Sequence, residues 1–180
     1  MYGLVNQAVQ DFVTQRLGAD IWKTVREKAG VKDPEFLPLQ QYPDELTFAM
    51  VGATCEATGR DAATLVEEIG VFWVTFTAQR GYGPLLDQLG TTFPEALAAL
   101  DAMHVRVALM MPNLKPPSFR VRDVKANGLT LDYISHRVGL APMVIGLVKG
   151  LGHKYGLQPS VRLVQAREPG GTTDVFEVTW

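Results

Sequence analysis

The chain has 180 residues, 47% of them hydrophobic and 20% charged, with one cysteine and a formal net charge of −2. That length suits one domain, at most two, and buries about 70% of the unfolded chain's surface without disulfides or a metal staple. The composition excludes a disordered tail, a collagen-like fibre and a disulfide scaffold, and the near-neutral charge argues against wrapping nucleic acid by bulk charge.

In chain order, Leu4, Ala8 and Phe12, with Val5, Val9 and Val13 beside them, give an amphipathic first helix. Gln7, Gln10, Asp11, Gln15 and Arg16 interrupt any apolar core of the signal-peptide kind. No run approaches the ~18 apolar residues of a membrane span. With Cys55 free, a soluble cytoplasmic protein is expected. A second helix fits Ile21 to Lys28, closed by Gly30, and a proline-bearing loop runs from Val31 to Pro43. Helices are expected over Asp44 to Ala57 and Asp61 to Arg80, the second broken by Gly81, Gly83 and Pro84. Thr92, Pro94 and Glu95 form a capping-box start. The stripe that follows, Leu97, Leu100, His104, Val107 and Met111, keeps helical spacing and puts His104 on the buried face. Pro112, Pro116 and Pro117 end this region.

Beyond the prolines the period becomes two. Phe119 to Lys125 and Leu129 to Arg137 read as strands around an Asn127-Gly128 hairpin turn. A helix from Leu140 to Tyr155 follows, then strands Ser160 to Arg167 and Asp174 to Trp180 flanking Pro169-Gly170-Gly171. The expected fold is α+β, a helical N-terminal half packed on a small four-stranded antiparallel sheet with one long C-terminal helix. Residues 1–180 form a single domain, with an N-terminal helical subdomain to about residue 60 and a larger mixed one after it.

Local metal motifs are absent: there is no CxxC pair and no HExxH helix. Gly150, Gly152 and Gly156 fail the GxGxxG spacing and end a helix instead of starting one, and no GxSxG occurs. His104 stands among aliphatic and Met residues, with Asp101 its one near carboxylate. Such a histidine is either a hydrogen-bonded core residue or a lone protein ligand to a metal whose other ligands are planar and apolar, as in haem. On a strand, Leu129, Leu131, Tyr133, Ser135 and Arg137 share a face. Its three terminal donors suit a buried anion such as the haem propionates; the alternative is an edge strand ending in solvent.

His104, then Pro116-Pro117, then Y-x-S-x-R at Tyr133, Ser135 and Arg137, within HVRVALMMPNLKPPSF and before GLAPMVIGL, closely resembles the haem nitric oxide/oxygen-binding (H-NOX) domain. This domain is related to the haem domain of soluble guanylate cyclase, and the resemblance spans nearly the whole chain. It implies haem b (iron protoporphyrin IX) ligated by His104, with its propionates held by Tyr133, Ser135 and Arg137. By the same resemblance Pro117 presses the porphyrin out of plane, and Val5, Val9, Trp73, Met143 and Leu147 form the distal wall. Without the family those apolar residues are ordinary core.

Oxygen-holding members carry a distal tyrosine where this chain has Met143. Losing that hydrogen bond costs about 1–3 kcal/mol, or one to two decades of oxygen affinity. The resemblance therefore implies a sensor of nitric oxide, also taking carbon monoxide, that discriminates against oxygen. Nitric oxide weakens or breaks the iron–histidine bond, and a separate protein such as a histidine kinase or a cyclic-di-nucleotide enzyme reads the change. Neither nucleic acid nor a membrane is expected as a partner, and no enzymatic activity. The rivals are an oxygen-binding sensor, a haem enzyme (peroxidase-like or nitric oxide detoxifying), which needs a distal acid–base group, and a haem-free interaction domain. His136 and His153 have no assigned role.

Overall fold

The fold was taken from a computed structural model that describes residues 1–32, 35–111 and 113–180. Pro112 and Pro34 of the long loop lie outside the described residues. Helices α1 (Gly3–Phe12), α2 (Ala19–Lys28), α3 (Asp44–Thr58) and α4 (Ala62–Thr77) come first, then the short α5 (Gly83–Asp87) and the long α6 (Phe93–Met110). Strands β1 (Ser118–Lys125) and β2 (Gly128–Ile134) precede α7 (Ala141–Lys154), and β3 (Ser160–Gln165) and β4 (Thr173–Thr179) complete the chain. The four strands form an antiparallel sheet in the order β1-β2-β4-β3. The α+β architecture expected from the periodicities is thus the one observed.

Two apolar cores divide the molecule. Ala8, Phe12, Val25, Met50, Leu65 and Phe72 bury the facing stripes of α1 to α4. Phe93, Leu97, Leu131, Val144, Val148 and Phe176 join α6, α7 and the sheet. The junction between them is the contact of α4 with α7, and small residues make it possible. A Cβ on Gly146 would lie 1.9 Å from the Glu67 carbonyl oxygen, and one on Gly70 would lie 2.5 Å from that of Met143. Gly146 thus serves close approach to a neighbouring helix. Lys149 donates to Glu67 across the same contact at 2.6 Å.

Several boundaries differ from the periodicity. Both α1 and α4 continue into single π-helical turns, Val13–Leu17 and Ala78–Tyr82, the second kinked where Gly81 takes a φ of 89°. The separate α5, begun by Gly83 and Pro84, has too few residues to display a period. Thr92 and Glu95 do form the expected capping box. The hairpin turns on Ala126 and Asn127, with Gly128 already paired to Lys125. Strand β2 ends at Ile134, not Arg137, and β3 at Gln165, not Arg167. At Arg167 the cause is chemical: its backbone N–H donates to the Asp174 side chain at 2.8 Å instead of to a strand neighbour.

Candidate haem site

A cavity of about 910 Å³ opens between the two cores, near the upper end of the range for enclosed small-molecule sites. Its walls include Val5 from α1, Trp73 and Thr77 from α4, Met103, His104 and Val107 from α6, and Pro116 and Pro117 from the segment after it. Toward the rim stand Gln41, Asp44, Asn113, Lys115, His136 and Arg137. The interior is therefore mainly apolar and the rim polar, with Lys115 and Arg137 as cations and Asp44 as an anion. A smaller, apolar cavity of about 90 Å³ adjoins the same wall, and Trp73, His104, Phe119 and Leu147 are among its lining residues.

His104 reaches the cavity because the capped α6 aims its apolar stripe inward. Its Nδ1 is buried with no hydrogen-bond partner, so the ring edge turned to the cavity is the one bearing Nε2. Phe119 stacks on the imidazole at 5.6 Å, with the planes 15° apart. The start of β1 is tied to α6 by the Phe119 N–H donating to the Asp101 carboxylate at 3.2 Å. Burial depresses the His104 pKa, and the Leu100 carbonyl and the Asp101 charge offset only part of this. The imidazole is accordingly neutral at pH 7, with a lone pair free to bind a metal. Among the described residues no cluster of three or more His, Cys, Asp or Glu side chains could hold a metal ion. A mainly apolar, partly open cavity, one neutral histidine and a polar rim bearing Arg137 and Lys115 together fit a planar metal complex carrying carboxylates at one edge.

The Tyr133, Ser135 and Arg137 trio is split by the strand's early end. Arg137 stands at the rim, where its Nε donates to Asp44 at 2.7 Å and Nη1 to the Lys115 carbonyl at 3.1 Å. Ser135 is buried, and its Oγ accepts from the Arg137 N–H at 3.1 Å. Tyr133 is also buried, behind Phe119 at 5.4 Å, and it does not line the large cavity. Among the distal expectations, Val5 and Trp73 line the large cavity, and Leu147 lines the small one. Val9 lies within the first core, and Met143 packs at that core's edge; neither lines these two cavities.

Several contributors had no local signal. Asp44 begins α3, far in sequence from Arg137, and it also pairs with the Met1 ammonium. Burial opposes its ionisation, but the Arg137 and Met1 cations outweigh this and lower its pKa. His136 proves to be a rim residue. Arg167 and Asp174 form a buried pair behind the rim, their side chains 10% and 5% exposed. The Asp174 carboxyl is raised by burial and lowered more strongly by Arg167, for a net fall. An acid depressed in the folded state stabilises above its unfolded pKa, near 3.8, and loses that contribution as pH falls through the folded value. Asp174→Asn should therefore cost about 3 kcal/mol at pH 7, because Arg167 is left buried without its counter-ion. The penalty should shrink below about pH 4, and urea titrations at several pH values would measure both.

The family model described as haem-NO-binding matches residues 2–163. Over 154 residues the chain is 30% identical to soluble guanylate cyclase gcy-31 of Caenorhabditis elegans, covering 86% of this chain and 22% of that protein. With soluble guanylate cyclase 89Da of Drosophila melanogaster it shares 28% identity over 182 residues, covering 99% and 27% respectively. The chain thus spans about a quarter of these relatives. Among solved structures, an H-NOX protein from S. oneidensis in the Fe(II)NO ligation state superposes with a TM-score of 0.87 at 18% identity, covering 99% of this chain and 98% of that one. An Fe(II) unliganded H-NOX protein from K. algicida gives 0.83 at 20%, covering 99% and 96%. At these identities the likeness concerns the fold.

Proposed function

Since the chain belongs to the haem-NO-binding family, we propose that it is a nitric oxide sensor that holds haem b through His104 and passes its state to a separate signalling protein. The observation carrying this reading is the cavity that presents one buried, neutral histidine inside and Arg137 at its rim. Ferrous haem supplies, when bound, an open coordination position for nitric oxide or carbon monoxide.

The chain's own residues supply the rest. Phe119 fixes the imidazole plane by stacking, and the Phe119–Asp101 bond ties that ring to α6. Arg137, and behind it Ser135 and Tyr133, would hold the porphyrin carboxylates, Arg137 by exchanging Asp44 for one of them and Tyr133 only if the Phe119 ring in front of it shifted. Pro117 would bear on the porphyrin; Val5 and Trp73 would give it an apolar wall, with Val9 and Met143 packed in and against the first core and Leu147 in the small cavity beside His104. That wall offers few donors to a ligand carrying negative charge, which disfavours oxygen. The donors that α4 adds to the cavity are the Trp73 indole N–H and the Thr77 hydroxyl, which has no hydrogen-bond partner among the described residues.

Helix α6, which carries His104 and would be freed were that residue released from a metal, exposes Val105, Leu109 and Met110 on its outer side at 60, 80 and 65%. A shift of this helix would move an apolar strip that a partner such as a histidine kinase or a cyclic-di-nucleotide enzyme could read. The rival haem enzyme would want an acid–base pair on the wall opposite His104. Besides His104 and Arg137, the titratable side chains lining the cavity are Asp44, Lys115 and His136 toward the rim and the phenols of Tyr2, Tyr42 and Tyr82.

Absorption spectra of the reduced protein under argon, air, carbon monoxide and nitric oxide test the reading. The Soret band should stay unchanged in air and shift with each of the other two gases. A stable shift in air would replace the nitric oxide reading by the oxygen one. No Soret absorption after reconstitution would leave a haem-free interaction domain.

A further inference from the structure

Arg167 leaves the sheet just after β3 and divides its side-chain hydrogen bonds between the segment after β2 and Asp174 of β4. Its Nη1 donates to the carbonyls of Ser135 at 2.8 Å and Arg137 at 2.9 Å. On the other edge, Nε donates to Asp174 Oδ2 at 3.0 Å and Nη2 donates to the same oxygen. The guanidinium carbon lies 5.9 Å from the centre of the Tyr133 ring. One side chain therefore touches the stretch from Tyr133 to Arg137 at three points, from behind the cavity.

A buried ion pair is weak grounds for stability, because desolvation offsets its attraction. What this pair does is geometric. Alternate carbonyls held by one nitrogen fix the backbone of residues 135 to 137, which have already left the β-ladder. That backbone decides where the Ser135 hydroxyl meets the Arg137 N–H and where the Arg137 side chain emerges at the rim. Lysine would keep the charge beside Asp174 but lacks a planar fork to reach both carbonyls and the carboxylate together.

We infer that Arg167, with Asp174 as its counter-ion, is a positioning residue for carboxylate binding at the cavity rim. It acts by holding in place the segment after β2 that carries Ser135 and Arg137, and by backing the Tyr133 ring, the three groups proposed to engage a porphyrin's carboxylates. The inference rests on the haem reading above. It predicts an effect confined to ligands that carry carboxylates.

The test compares iron protoporphyrin IX with its dimethyl ester, which keeps the metal and ring but has no ionised carboxylate. The full chain is loaded with each, as wild type, Arg167→Lys and Arg167→Gln, and release into excess apomyoglobin is timed. Both variants should release haem about 10- to 100-fold faster, the range seen when a residue supporting a ligand-binding group is lost, and release the ester at the wild-type rate. Haem release at the wild-type rate, or equal loss of haem and ester, would overturn the role. Should Arg167→Lys fail to fold, the double variant R167M/D174L removes both charges and should show the same carboxylate-selective loss. Wild-type protein that takes up neither compound would sink the haem reading itself, a result separable from failure of the variants.

Discussion

Replacing His104 with glycine is expected to lower haem affinity by more than about 100-fold, because even residues that only support a metal ligand are worth 10- to 100-fold. Free imidazole should restore binding, since glycine leaves a ring-sized space against Phe119 in the cavity wall. The comparison separates the two roles that the sequence left open for this residue. A core histidine would leave haem uptake unaffected by imidazole, and its loss would register as a lower melting temperature. The Nδ1 of this half-buried ring has only a favourable approach to the Leu100 carbonyl and no formed hydrogen bond, less than a core histidine is expected to have. Haem retained by His104→Gly with an endogenous histidine still bound, read from its absorption spectrum, would remove His104 from the metal.

The second large effect concerns the scaffold. Gly146→Ala should destabilise the fold by at least about 2 kcal/mol, although alanine is favoured over glycine in a helix by about 1 kcal/mol. The added methyl would sit 1.9 Å from the Glu67 carbonyl oxygen, a backbone atom that can move only if α4 and α7 part. Overpacking of this kind costs about 1–3 kcal/mol and sometimes more. For a chain of this size each kcal/mol lowers the melting temperature by about 2–4 °C. Gly52, exposed on α3, is the control: a Cβ there meets nothing within 4 Å, so Gly52→Ala should raise stability by about 0.5–1 kcal/mol. Calorimetry of both variants gives the contrast, and a neutral Gly146→Ala would mean that the two helices are not locked together. The effect extends to the site, because α4 carries Trp73 and Thr77 into the cavity wall.

Legibility in the sequence followed the range of the interaction. The capping box at Thr92 and Glu95 is complete within four residues, and helical spacing placed His104 on an inward face. Both proved legible because helix capping and amphipathicity are local. Strand alternation was legible only as far as the strand persists. It brought Tyr133 and Ser135 inward, but β2 ends at Ile134, and Arg137 reaches the rim by another route. The π-helical turns after α1 and α4 left no trace, since a one-residue change in helical period is invisible in a short window. The distal wall was legible only through family resemblance, and Val9 and Met143 lie in or against the first core instead of lining the cavity.

By itself, then, the sequence determined an α+β chain with one inward histidine, a basic donor stretch after β2, and membership of a haem-binding family. These depend on periods of 3.6 and two and on motifs a few residues long, which the chain displays before it folds. Tertiary structure alone decided that Asp44 pairs with Arg137, that Gly146 serves the α4–α7 contact, and that Arg167 holds the loop carrying Arg137. Each of those contacts joins residues on separate elements. No local pattern encodes such a partner, because the partner is chosen by how the two cores close around the cavity.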